Sequence, residues 1–122
     1  MVVRRGEVWW ADLEEPRGSE PGYRHPLLIL QADSFNESRL QTVVGIVVSS
    51  NLRLLDAPGN VLLTAKAVGL PKDSVANVTQ MVTVDKEHLA SKVGRLPPKT
   101  LALVETGVRL VLELWARDPR LE

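Results

Sequence analysis

The chain has 122 residues, enough for one domain with its own core and too few for two. Lys plus Arg number 15 and Asp plus Glu number 15, so the formal net charge is zero, which excludes a protein that holds nucleic acid by bulk positive charge. There is no cysteine and there are only two histidines, His25 and His88; these counts exclude a disulfide framework, a thiol nucleophile and a Cys-ligated or multi-His metal site.

Charged residues at Arg4, Arg5 and Glu7 precede any apolar run, so no secretory signal is expected. No apolar stretch approaches the ~20 residues of a membrane-crossing helix. A reducing cytoplasm is the expected compartment, and Asn36-Glu37-Ser38 and Asn77-Val78-Thr79 read as chance matches to the glycosylation tripeptide.

Residues 7–13 predict a first strand, in which Trp9 and Trp10 face opposite sides of the pleat, one toward the core and the other toward a surface. Residues 14–23 predict a loop, with Pro16, Gly18, Pro21 and Gly22; an ordered loop of that length tends to carry function. The apolar run 27–30 behind Pro26 predicts a buried strand, and 42–48 predicts the strongest strand, with Gly45 marking a bend or a close backbone approach. Further strands are expected over 60–64 and 74–84, then a short helix over 86–92 with Asp85 as its N-cap.

A final helix is expected over 99–115, with Leu101, Val104, Val108, Val111 and Trp115 on one apolar face and a narrow charged stripe of Glu105, Arg109 and Glu113. Leu103, Leu110, Leu112 and Leu114 widen the apolar arc beyond one stripe, so the helix is expected to be covered on more than one side, by the sheet, with a partner chain as a further candidate. Strands come first and the long helix last, with no βαβ alternation. The reading is mainly β, a small curved antiparallel sheet with a C-terminal helix, in a single domain over 1–116 with a polar tail over 117–122.

No nucleophile-elbow spacing surrounds a serine, and no phosphate-cradling glycine loop occurs. What remains is Arg24-His25 entering a strand and Ser49-Ser50-Asn51 leaving another. Arginine is a positive fork that suits phosphate, histidine suits proton transfer near neutrality, and a strand-end hydroxyl can donate to a phosphate oxygen. Cutting RNA at its own 2′-hydroxyl requires those parts and neither an enzyme nucleophile nor a metal. Plainer readings stand beside this one: a solvated strand start at Arg24 and His25, turn chemistry at Ser49 to Asn51, surface for His88, a cross-strand polar role for Gln80, and core or interface for Trp115.

The opening Arg5-Gly6-Glu7-Val8-Trp9-Trp10-Ala11-Asp12-Leu13 and the loop Gly18-Ser19-Glu20-Pro21-Gly22 carry a resemblance, as do Ser49-Ser50-Asn51-Leu52, Lys72-Asp73-Ser74-Val75 and Gln80-Met81-Val82-Thr83-Val84-Asp85-Lys86. Together, over nearly the whole chain and in order, they resemble the MazF/PemK family of toxin endoribonucleases. The resemblance implies an SH3-like, CcdB/PemK-type small barrel with a C-terminal helix, acting as a homodimer without cofactor or metal. It implies sequence-selective cutting of single-stranded mRNA to 2′,3′-cyclic phosphate and 5′-hydroxyl ends. It also implies a MazE-type antitoxin whose C-terminal segment lies in the dimer groove, with DNA bound only through that antitoxin.

The resemblance assigns catalysis to Arg24, His25 and Ser49. The family's arginine before the strand-opening proline is replaced here by His25, so either His25 takes the acid–base role or Arg24 reaches in from the loop. If the strand has already begun there, the two side chains point to opposite faces. Ser49 stands where the family usually has threonine, and Val82 where many members carry arginine. RNA contacts are expected from Glu20, Tyr23, Ser50, Asn51, Arg53, Lys72 and Gln80. The alternatives are a CcdB-like gyrase-binding toxin or a degenerate member acting only in antitoxin binding and operon autoregulation.

Overall fold

The computed structural model describes residues 2–13, 23–115 and 120. Six antiparallel strands form one curled sheet in the order β4-β5-β3-β2-β1-β6: β1 (Glu7–Leu13), β2 (Tyr23–Ile29), β3 (Thr42–Ser49), β4 (Val61–Leu63), β5 (Ser74–Asp85) and β6 (Leu89–Arg95). Two one-turn helices, α1 (Asp33–Asn36) and α2 (Ala65–Val68), sit in connections, and α3 (Pro98–Leu112) follows the last strand. This is the curved antiparallel sheet with a terminal helix that the strand-first pattern predicts, curled into the half of a barrel.

Period-two alternation divides the apolar residues between the two faces of the sheet. Val8, Leu28 and Ile46 stand in one cross-strand row, and with Val48, Leu63, Val78 and Val104 they form a core under α3. Their sequence neighbours Trp9 and Leu27 belong to a second core with Ala11, Ile29, Val43, Val84 and Leu89. Each Val, Leu or Ile among them contributes roughly 1.5–3 kcal/mol when fully withdrawn from water. Gly45 is a close approach, as expected: a Cβ there would meet the Leu27 side chain and the Leu28 carbonyl oxygen, each at 2.7 Å.

The curl has identifiable origins. Ile46 pairs with Met81 but Val48 pairs with Ala76, so residues 77–80 of β5 stand opposite Val47 alone. Such a bulge sharpens the local twist. Its free N–H at Val78 donates to Asn60 Oδ1 at 2.9 Å, and Asn77, buried in the bulge, donates to Gln80 Oε1 at 2.7 Å. Register also slips between β1 and β6 on either side of Trp9-Trp10.

β2 begins at Tyr23, inside the expected loop and four residues before the expected strand over 27–30, because Tyr23 to Pro26 pair with β1; two further elements differ more. Asp85 does cap a turn, accepting the Glu87 N–H at 3.1 Å, but the turn is a single 3-10 turn, Lys86–His88, and the chain continues as β6 instead of a helix over 86–92. Pairing with β1 and burial of Leu89 outweigh the local helix signal. The last helix ends at Leu112, where Glu113 turns left-handed (φ 55°) and its N–H returns to the Arg109 carbonyl, so Trp115 lies beyond the apolar face and is 52% exposed. Glu105 pairs with Arg5 at 3.0 Å, tying the helix to the chain's N-terminal segment.

Candidate functional site

β2 and β3 are paired only from Leu27↔Val47 to Ile29↔Gly45. Before Leu27, β2 pairs with β1 alone, while Val48 and Ser49 pair with β5. The two strands therefore part, and a cavity of about 310 Å³ opens in the gap, bordered by Arg24, His25 and Pro26 of β2 and by Val48, Ser49 and Ser50 of β3. Trp10 of β1 and Leu70, Pro71, Lys72 and Ser74 from the approach to β5 complete it. Pro26 fits this place because the missing N–H faces the unpaired side of the strand.

The parting of the strands explains how two consecutive residues reach one cavity. Alternation places Arg24 with Pro26 on one face and His25 on the other, yet both border a gap that lies at the strand's own edge. Arg24 is exposed and its Nε donates to Asp12 Oδ1 at 3.0 Å, its cross-strand partner in the register. That contact occupies one edge of the guanidinium, and its terminal nitrogens have no partner among the described residues. His25 is half-buried and its imidazole has no hydrogen-bond partner among the described residues.

Ser49 Oγ accepts the Asn51 N–H at 3.2 Å, and its own hydroxyl proton has no acceptor among the described residues. The turn chemistry expected here is thus present and leaves a donor at the cavity. Ser74, buried at the start of β5, donates to the Lys72 carbonyl at 3.0 Å and fixes the loop that carries the Lys72 amine. Among the described residues no three His, Asp or Glu side chains cluster as a metal site would require, and no helix is long and apolar enough to cross a membrane.

The cavity gathers Arg24, His25, Ser49, Ser50 and Lys72 from the residues singled out in the sequence. Tyr23, 65% exposed and with φ of 56°, begins β2 outside the lining. Asn51 Oδ1 accepts the Arg53 N–H at 3.2 Å and caps the 3-10 turn Leu52–Asp56, which places Arg53 in that turn and not in the cavity. Gln80 sits in the β5 bulge, held by Asn77. Glu20 and residues 14–22 of the loop lie outside the described residues. Trp10, Pro71 and Ser74 carried no signal as site residues; the alternation of Trp9 and Trp10 predicted only that one of them would leave the core.

Fold and cavity together define a small half-barrel protein with a cationic, hydroxyl-bearing cleft where two strands part. The chain belongs to the family described as PemK-like, MazF-like toxins of type II toxin-antitoxin systems, whose match spans residues 4–112. It is 47% identical over 114 residues to Endoribonuclease MazF6 of Mycobacterium tuberculosis, covering 93% of this chain and all of that protein. Among solved structures it superposes on MazF from Deinococcus radiodurans with a TM-score of 0.78 at 22% identity, over 93% of this chain and 99% of that one. It also superposes on a MazE-MazF structure from the same organism with a TM-score of 0.75 at 22% identity, over 94% and 99%.

Proposed function

We infer that this chain is an endoribonuclease toxin that cuts single-stranded RNA through the RNA's own 2′-hydroxyl. The observation that carries the reading is the convergence of Arg24, His25 and Ser49 on one cleft of about 310 Å³. Family membership and 47% identity to a protein named as an endoribonuclease support the activity. The open nitrogens of Arg24 fork the scissile phosphate, and the Ser49 hydroxyl donates to a non-bridging oxygen, so that the charge growing on the phosphorane meets preorganised donors. His25 takes the 2′-hydroxyl proton as that oxygen bonds to phosphorus. The bond from phosphorus to the 5′-oxygen breaks, and Lys72 supplies the proton to the leaving oxygen. A 2′,3′-cyclic phosphate and a 5′-hydroxyl result, and no metal enters the balance.

The same reading gives the protein a homodimeric form, an antitoxin and a cytoplasmic place of action. Leu62 on β4 and Leu103 and Leu110 on α3 are 42–59% exposed and line a second, mostly apolar groove of about 410 Å³, which supports a second copy packing there. The solved MazE-MazF pair supports neutralisation by an antitoxin of that kind.

Purified protein incubated in EDTA with a long single-stranded RNA is expected to release fragments with cyclic phosphate ends. His25→Ala and Arg24→Ala each lower the rate at least ~100-fold, and Ser49→Ala does so by ~100-fold. Intact RNA with a folded wild-type protein would overturn the reading in favour of a gyrase-binding or purely antitoxin-binding relative.

A further inference from the structure

The two adjacent tryptophans have opposite fates. Trp9 is 7% exposed, and its indole Nε1 donates to Glu7 Oε1 at 3.1 Å, so that both its ring and its polar atom are used by the core. Trp10 is half-buried on the other pleat face, lines the cleft beside Arg24, His25 and Ser49, and its indole N–H has no partner among the described residues. Buried tryptophans ordinarily find a partner for that N–H. The register slips flanking this segment in the β1–β6 pairing are of the kind that re-aim a side chain.

The cleft's lining is divided in chemistry. Arg24, His25, Ser49, Ser50 and Lys72 supply cations and hydroxyls. Trp10 and Pro26, directly opposed across β1 and β2, give it an apolar side with Pro71. A phosphodiester uses only the polar groups. An aromatic surface next to a phosphate site is what the base joined to that phosphate would occupy, since every base has a face that stacks on an indole. The volume, at the low end of the ~300–1,000 Å³ usual for ligand sites, suits one nucleotide.

We propose that Trp10 is a base-stacking residue of the RNA site, holding the nucleobase next to the cleaved phosphate and so setting the nucleotide's position over His25 and Ser49. The proposal rests on the endoribonuclease reading above. It separates the ring's π-face from its bulk: Phe retains a stacking face, whereas Leu retains an apolar filling only.

Two measurements test it. In cleavage assays, Trp10→Leu raises KM roughly tenfold or more with kcat less affected, and Trp10→Phe recovers most of the loss. In a Trp115→Phe background, a fully 2′-O-methylated RNA pool, which cannot be cut, quenches the remaining tryptophan fluorescence, and the quench disappears in Trp10→Phe. An unchanged KM in Trp10→Leu, or equal quenching with and without Trp10, overturns the proposal while cleavage by the wild type keeps the enzyme reading intact. A wild type that cuts no RNA overturns that reading instead, and the fluorescence arm alone then decides Trp10. Should Trp10→Leu fail to fold by circular dichroism, RNA quenching of Trp115→Phe compared with that of the Trp115→Phe, Trp10→Phe double variant decides it.

Discussion

Glu7 is 4% exposed and still holds its charge. Burial is the largest influence on its carboxyl and pushes the pKa up, but Lys92 at 2.7 Å, the Trp9 indole N–H and the Arg4 backbone N–H at 2.8 Å together outweigh it and hold the group below the usual carboxylate range. Asp33 is lowered too, first by the Arg5 N–H at 2.7 Å and then by the Asn36 amide. Both folded values lie under the unfolded ones, so the unfolded chain binds more protons as the pH falls through the carboxylate range. Their stabilisation is complete above that range and is lost as the pH drops through the lowered folded values. Thermal melts are expected to be flat from neutrality to weak acid and to fall steeply below. Glu7→Gln costs about 1–3 kcal/mol at pH 7 and flattens the acid limb. An acid limb parallel to that of the wild type would show that the Glu7 pairings contribute nothing to it.

At the scale of elements, α3 is held by a contact that has no room for a side chain. A Cβ on Gly107 would lie 2.1 Å from the Gly59 carbonyl oxygen, in the turn leading to β4. Gly107→Ala therefore forces α3 away from the loop and opens the core around Val104, at a cost of roughly 1–3 kcal/mol, seen as a lower Tm. A melt unchanged from that of the wild type would mean that the turn yields freely. This contact was not legible in the sequence, because it depends on which distant turn meets the helix. What was legible follows from periodicity: β1, β3 and β5 alternate or run β-branched, and Val104 and Val108 repeat at helical spacing. β6 was misread as a helix because Asp85 is a genuine cap, and only the edge of β1, invisible from residues 86–92, turns Leu89 into a strand. The site divides the same way. Arg24, His25 and Ser49 stand out as rare chemistry at strand ends, whereas Trp10 and Ser74 join them only through the parting of β2 and β3.

For the molecule as a whole, balance of charge limits how RNA can be held. With 15 basic and 15 acidic residues the far field is close to neutral, so at the proposed site attraction falls to the few cations at the cleft. Arg24 and Lys72 line it, and Asp12 beside Arg24 offsets part of the local positive charge. Neutralising two phosphates on a single strand with these two cations gives a slope of about −1.4 in log affinity against log salt, at roughly −0.7 per phosphate. Binding of the 2′-O-methylated RNA, titrated across a series of sodium chloride concentrations, is expected to follow that shallow line, and Lys72→Ala to make it shallower by about 0.7. Arg24→Ala has a smaller effect on the slope, since its charge is already partly spent on Asp12. A slope steeper than about −4 would require an extended basic track along the strand, and RNA binding confined to a compact cleft would then be wrong.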